Sequence, residues 1–144
     1  MASLLLILDT NILVHNVRQD AMWEKLRDEY QLLVVEPTPL ISVVTAGELR
    51  SLARQWNWGR DKRDRMEFLL GYFQTVPVDT PEQIAIYAEI DNFCLERGRV
   101  MGKNDLWIAA TAALTDARLL TSDADFESLD GVFLNLEWVH APES

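Results

Sequence analysis

Apolar residues in this chain come in two kinds of block, short unbroken runs and longer stretches where they recur at three- to four-residue spacing. The first short run, residues 4–8 (LLLIL), predicts a strand buried on both faces of a parallel sheet. Asp9, Thr10 and Asn11 end it with short polar side chains suited to capping a following helix. Residues 20–30 place Met22, Trp23, Leu26 and Tyr30 at helical spacing. Residues 32–35 are apolar, with β-branched Val34 and Val35, and predict a strand that Pro37 and Pro39 break before Leu40 and Ile41. Ser42 is the expected N-cap of a helix running through Gln55, and a further helix is expected over 60–72.

A short strand over 75–78 follows, and then Thr80-Pro81 opens a helix to about Arg97, with Gly98 as its stop. Asn104 is the expected cap of the next helix, 105–116, whose alanine-rich LWIAATAAL implies close packing. Residues 119–121 and 132–134 read as the last strands. Strands alternating with helices imply a mostly parallel sheet covered on both faces, with sites forming beyond the carboxyl ends of its strands.

Composition narrows the picture. A chain of 144 residues fits one domain that buries roughly two-thirds of its unfolded surface. The single cysteine, Cys94, excludes an internal disulfide, fits a reducing cytoplasm, and reads as a buried structural thiol. The opening MASLLLILDTN is too short to span a membrane and lacks the basic start and small-residue cleavage site of a secretion signal. The net charge of −10 argues against nucleic acid over the molecule as a whole. Locally the balance reverses: Arg50, Arg54, Arg60, Lys62, Arg63 and Arg65 meet only Asp61 and Asp64, and Trp56 and Trp58 lie among them. Such a segment suits a phosphate backbone or unpaired bases, a solvated helical face, or a protein partner.

Four acids end or follow apolar runs: Asp9 in LLLILDTN, Glu48 in LISVVTAGELR, Asp105 in GKNDLWIAATAAL and Asp123 in ARLLTSDADF. Singly, each has a structural reading as a helix cap, a turn cap or a surface residue. Gathered at one sheet edge, they would repel one another and resist desolvation unless a cation neutralised them. Hard divalent ions prefer such oxygen ligands, which points to metal-assisted hydrolysis of phosphodiesters. His15 and His140 have no partner pattern and read as structural or surface residues. Lys103 is either a phosphate contact or an ordinary surface lysine.

The chain resembles the PIN-domain ribonucleases of the VapC toxin type over nearly its whole length. LDTNIL, the S-x-V-T-A-G-E-L-R pattern, GKNDLWIAATAAL and LLTSDADF carry the resemblance, the third most specifically. It implies a single PIN domain over residues 1–144 with a three-layer α/β/α fold and a central, mostly parallel sheet. It further implies Mg²⁺- or Mn²⁺-dependent endonuclease action on single-stranded or loop RNA, in a cytoplasmic protein. By position, Asp9, Glu48, Asp105 and Asp123 match the family's acidic cluster, with Asp9 and Asp105 expected to bind metal directly. Glu48 and Asp123 are expected to bind directly or through water. Thr10 and Asn11 match the supporting polar residues, and Asp125 leaves the last acidic position ambiguous. Arg50, Arg54, Arg60, Lys62, Arg63 and Lys103 are the candidate RNA contacts.

The family implies a homodimer neutralised by an antitoxin protein, and the apolar surplus over 56–73 makes part of that surface a candidate interface. Trp58→Ala is therefore expected to weaken association and leave the fold intact. Three rivals remain. A haloacid-dehalogenase-like phosphatase needs a second Asp where Asn11 stands. A catalytically silent PIN-fold binding module would be expected to have lost acids, and a related metal nuclease could instead act on DNA.

Overall fold

Side-chain alternation along the strands splits the interior into two cores. In β1 (Leu6–Leu8), Leu6 and Leu8 join the core on one face of the sheet and Ile7 joins the core on the other. The same division separates Ile41 from Leu40 in β2 (Leu40–Ser42) and Leu120 from Leu119 in β4 (Arg118–Thr121). These relations come from a computed structural model that describes residues 4–140 and 142. Residues 1–3, 141, 143 and 144 lie outside the described residues, and with them the outermost ends of the expected 1–144 domain and the start of the segment weighed as a leader. No helix among the described residues is long and apolar enough to cross a membrane.

Five parallel strands lie in the order β3-β2-β1-β4-β5, with β3 at Gln74–Val76 and β5 at Leu136–Trp138. The first core holds apolar residues of α1 (Thr10–Arg18), α2 (Ala21–Tyr30), α3 (Val43–Gln55) and α4 (Arg60–Tyr72). The second holds residues of α5 (Pro81–Glu96), α6 (Lys103–Thr115) and the 3-10 turn Ala124–Leu129. The fold is thus the expected three-layer α/β/α sandwich. Ala109, Ala110 and Ala112 are fully buried, and these small side chains let α6 pack closely.

Chain order reverses at β1: β2 and β3 extend the sheet on one side, β4 and β5 on the other. The ends of β1 and β4 are paired, Leu8 opposite Leu120, so the residues leaving both strands emerge side by side at the switch point.

Two expected strands are turns. At 32–35, Gln31 takes a left-handed conformation (φ 50°), and its carbonyl accepts from the amides of Val34 and Val35. Those amides are satisfied locally, so Leu32 drops into the core while Val34 is 69% exposed. At 132–134, Gly131 (φ 77°) turns the chain, and the amides of Val132 and Phe133 donate to the Leu129 carbonyl. The last strand comes later, at Leu136–Trp138. The expected strand over 75–78 is shifted to Gln74–Val76. Gly102, not Asn104, occupies the N-cap of α6, and Asn104 sits exposed in its first turn.

Trp58 is 5% exposed and belongs to the first core, so the expectation that it forms a removable interface residue is overturned. Trp58→Ala is a large-to-small core substitution that costs about 3–5 kcal/mol of stability, measurable by denaturant unfolding. Trp56, 46% exposed with the Arg18 guanidinium 4.8 Å from its ring centroid, is the surface tryptophan of the pair.

Candidate metal centre at the sheet switch point

Asp9 leaves β1 at the N-cap of α1, yet its side chain makes no capping hydrogen bond. Its Oδ2 instead accepts from the Thr121 hydroxyl at 2.9 Å, across the β1–β4 pair. Thr121 Oγ1 in turn accepts from the Asp123 backbone amide at 2.9 Å. One fully buried hydroxyl therefore ties the first acid to the loop that carries the last.

Glu48 reaches the same edge from α3. Its Oε1 accepts from the Thr10 hydroxyl at 2.7 Å. Thr10 and Thr45 hydroxyls lie 3.1 Å apart. A hydroxyl has one proton, and a carboxylate can only accept, so Thr10 gives its proton to Glu48 and receives one from Thr45. The chain Thr45–Thr10–Glu48 runs from a fully buried helix position to a half-buried carboxylate.

Asp105 enters from the first turn of α6, and Asp123 and Asp125 from the segment after β4. Asp105, Asp123 and Asp125 each offer one carboxylate oxygen, and those oxygens lie within 4.8 Å of one another. Asp123 Oδ1 also accepts from the Asp125 amide at 2.9 Å, so the turn-capping reading of Asp123 holds alongside its place in the cluster. Asp125 is exposed and Asp105 and Asp123 are half-buried.

The electrostatics follow from this crowding. Burial pushes the Asp9 carboxyl up to about 6, against the lowering effect of the Thr121 hydroxyl. Burial raises Asp105 to about 7, and repulsion from Asp9, Asp123, Glu48 and Asp125 adds to it. Two carboxyls pushed toward neutrality beside three more mark a site short of positive charge. Its donors are all carboxylate oxygens, the set that suits hard divalent cations and not thiophilic ones.

The acids predicted from sequence thus converge at one edge and the predicted supporting residue Thr10 joins them, while the remaining predicted residues scatter. Asn11 is exposed on α1, and Lys103 is exposed at the start of α6. Arg50 forks onto Glu67, its second prong (Nη2 to Oε2) at 3.0 Å, and Arg60 Nε lies 3.8 Å from Asp64. Arg65 donates to the Val17 carbonyl at 3.1 Å. The basic segment is therefore partly spent on its own neighbours, leaving Arg54 and Arg63 exposed and Lys62 half-buried. Sequence reading missed Thr121 and Thr45. The signals were present: Thr121 is the last residue of its strand, two before Asp123, and Thr45 precedes Glu48 by three, one helical face apart.

Acids from four elements gather at the switch point of a parallel α/β/α sheet, a set of oxygen donors that could hold a cation. The PIN-domain family profile matches residues 6–132, and the chain belongs to that family. Ribonuclease VapC5 of Mycobacterium tuberculosis is 37% identical over 92 residues, 62% of this chain and 67% of the relative. The solved VapBC-5 toxin–antitoxin structure from the same organism covers 94% of this chain and 97% of its own, with 28% identity and a TM-score of 0.65. VapBC2 of Rickettsia felis, crystallised with a DNA fragment from its promoter, shares the fold at a TM-score of 0.77 and 22% identity, covering 93% and 98% of the two chains.

Proposed function

We propose that this protein is a metal-dependent endoribonuclease of the VapC type, the toxin of a toxin–antitoxin pair, folded as a single PIN domain. The observation that carries the reading is the convergence of Asp9, Glu48, Asp105, Asp123 and Asp125 at one sheet edge, with Asp105 raised to about 7 by burial and by the carboxylates around it. The ribonuclease relative and the toxin–antitoxin structure support the substrate class and the antitoxin partner. A second copy of the chain is the other partner we expect.

The donor set fits Mg²⁺ or Mn²⁺. Asp105, Asp123 and Asp125 would hold one ion between them, and Asp9 and Glu48 flank that position. Such an ion would neutralise scissile-phosphate charge and make water acidic enough to attack at neutral pH. The chain's own part is to fix the acids. Thr121 orients Asp9, and Thr10 orients Glu48, each leaving the second carboxylate oxygen without that tether. No side chain of the cluster is a histidine, so no imidazole is at hand there for proton transfer.

Cleavage of a structured RNA pool by purified protein with Mg²⁺ or Mn²⁺ tests the reading. Cutting abolished by EDTA and by Asp105→Asn is the expected result. A folded, antitoxin-free protein that cuts neither this pool nor single-stranded RNA would shift the reading to a silent PIN-fold binding module. Cutting of DNA in preference to RNA would shift it to a DNA nuclease.

A further inference from the structure

Beside the acids lies an open cleft of about 420 Å³ that the metal chemistry does not use. Val44, Gly47, Glu48, Ser51, Leu52 and Gln55 line it from α3, and Asn104 lines it from α6. Their spacing puts the α3 residues on one helical face. From Glu48 to Gln55 that face runs about 10 Å along the helix axis. Glu48 belongs to both the cleft and the acidic edge, so a strand with its scissile phosphate at the acids has this cleft next to it.

The lining's chemistry selects what would enter. It contains no cation, so it does not serve a phosphate. Val44 and Leu52 are half-buried and give an apolar floor for a flat ring. Ser51, Gln55 and Asn104 are exposed, uncharged and supply both donors and acceptors. Gln55 Nε2 donates to Ser51 Oγ at 2.8 Å, which holds the far rim of the cleft in place. Gly47 stands in the middle, where a Cβ would meet nothing within 4 Å, so the floor is open because this residue has no side chain. An apolar floor rimmed by neutral amides and a hydroxyl matches an unstacked nucleobase, which buries its faces and presents a mixed donor–acceptor edge.

We infer that the α3–α6 cleft is the subsite that reads a base of single-stranded RNA beside the cut. It rests on the nuclease reading above and deepens it, because it assigns the sequence preference to Ser51, Gln55 and Asn104.

The test compares cleavage profiles on a short RNA library randomised around the scissile bond, with wild type, Ser51→Ala, Asn104→Ala and Gly47→Leu. Leucine at 47 fills the cleft at a helical position with free space, so the thermal midpoint is expected not to fall. The expected result is a wild-type base preference at one position that drops about 10-fold or more in each variant. If a variant stops cutting, library RNA retained by that variant in EDTA, sequenced against wild type, reads the preference directly. Profiles unchanged in all three variants would overturn the subsite and leave the nuclease standing. Absence of metal-dependent cutting by wild type would overturn both.

Discussion

Asp9 and Glu48 each accept a hydrogen bond from a buried threonine hydroxyl, whereas Asp105, Asp123 and Asp125 face one another across less than 4.8 Å. The two groups share one sheet edge and are held by opposite means. The first pair is anchored in the frame of β1, α1 and β4, where Thr121 and Thr10 supply compensating donors. The trio is gathered from α6 and the segment after β4, and among the described residues none of its members forms an ion pair. Anchoring fixes geometry, and crowding stores a demand for positive charge. A carboxylate site needs both, because ligands fixed without crowding would have little affinity for a cation.

The largest effect should come from the crowded side. Asp105→Asn removes the carboxyl that burial and then repulsion push highest, and cleavage should fall by about 10²- to 10³-fold. The same change should raise the thermal midpoint of the metal-free protein at pH 8, because it relieves like-charge repulsion. Activity is read as kcat/KM with Mg²⁺ and stability by calorimetry in EDTA. A variant that lost activity and stability together would show Asp105 to be structural, and the contrast between the two groups would fail.

Stability against pH gives the next effect. Asp9 sits at about 6 in the folded protein and Asp105 at about 7, against 3.8 for the ordinary side chain. Both pKa values are raised, so the folded state holds protons that the unfolded state has released. Their contribution is fully present below about pH 4 and is lost as pH rises through 6 and 7. For the buried Asp9 the change is roughly 3 kcal/mol. The metal-free protein should therefore unfold at a lower temperature at pH 8 than at pH 5, and Mg²⁺ should reverse much of the loss at pH 8. A flat profile in EDTA would sink the idea of stored repulsion.

Much of this was legible in the sequence, and the parts that were not have physical causes. Most of the strand–helix alternation and the Ser42 and Thr80 caps depend on local chemistry, and these are present. The false strands at 32–35 and 132–134 failed because their amides found nearby carbonyls, a choice set by the left-handed residues Gln31 and Gly131. Trp58 and Trp56 are two apart and equally aromatic, yet one is core and the other surface, because the turn at 56–59 points only the first inward. Thr121 and Thr45 escaped notice because threonine is common in strands and helices. Only their partners, Asp9 across the sheet for Thr121 and Thr10 on α1 for Thr45, distinguish them.

The anchored side predicts a smaller but more specific effect. Thr121→Val keeps the shape of the side chain and removes the donor to Asp9 and the acceptor for the Asp123 amide. Mn²⁺ affinity should weaken by about 10- to 100-fold in a calorimetric titration. Thr121→Ser, which restores the hydroxyl, should recover most of it. Equal losses in both variants would mean that packing, not the hydroxyl, matters there.

The smallest expected effect separates Asp123 from Asp125, which distance alone does not. Both offer oxygens to the trio, but only Asp123 is tethered on two sides, its amide to Thr121 and its Oδ1 to the Asp125 amide. Asp125 is exposed, so water screens its charge and little geometry holds it. Asp125→Asn should keep the backbone amide that binds Asp123 and slow cleavage only a few-fold, whereas Asp123→Asn should cost at least about 10 times more. Single-turnover rates of the two variants at saturating Mg²⁺ decide the assignment. If Asp125→Asn proved the more damaging, the exposed acid would be the working ligand and Asp123 chiefly the cap of its turn.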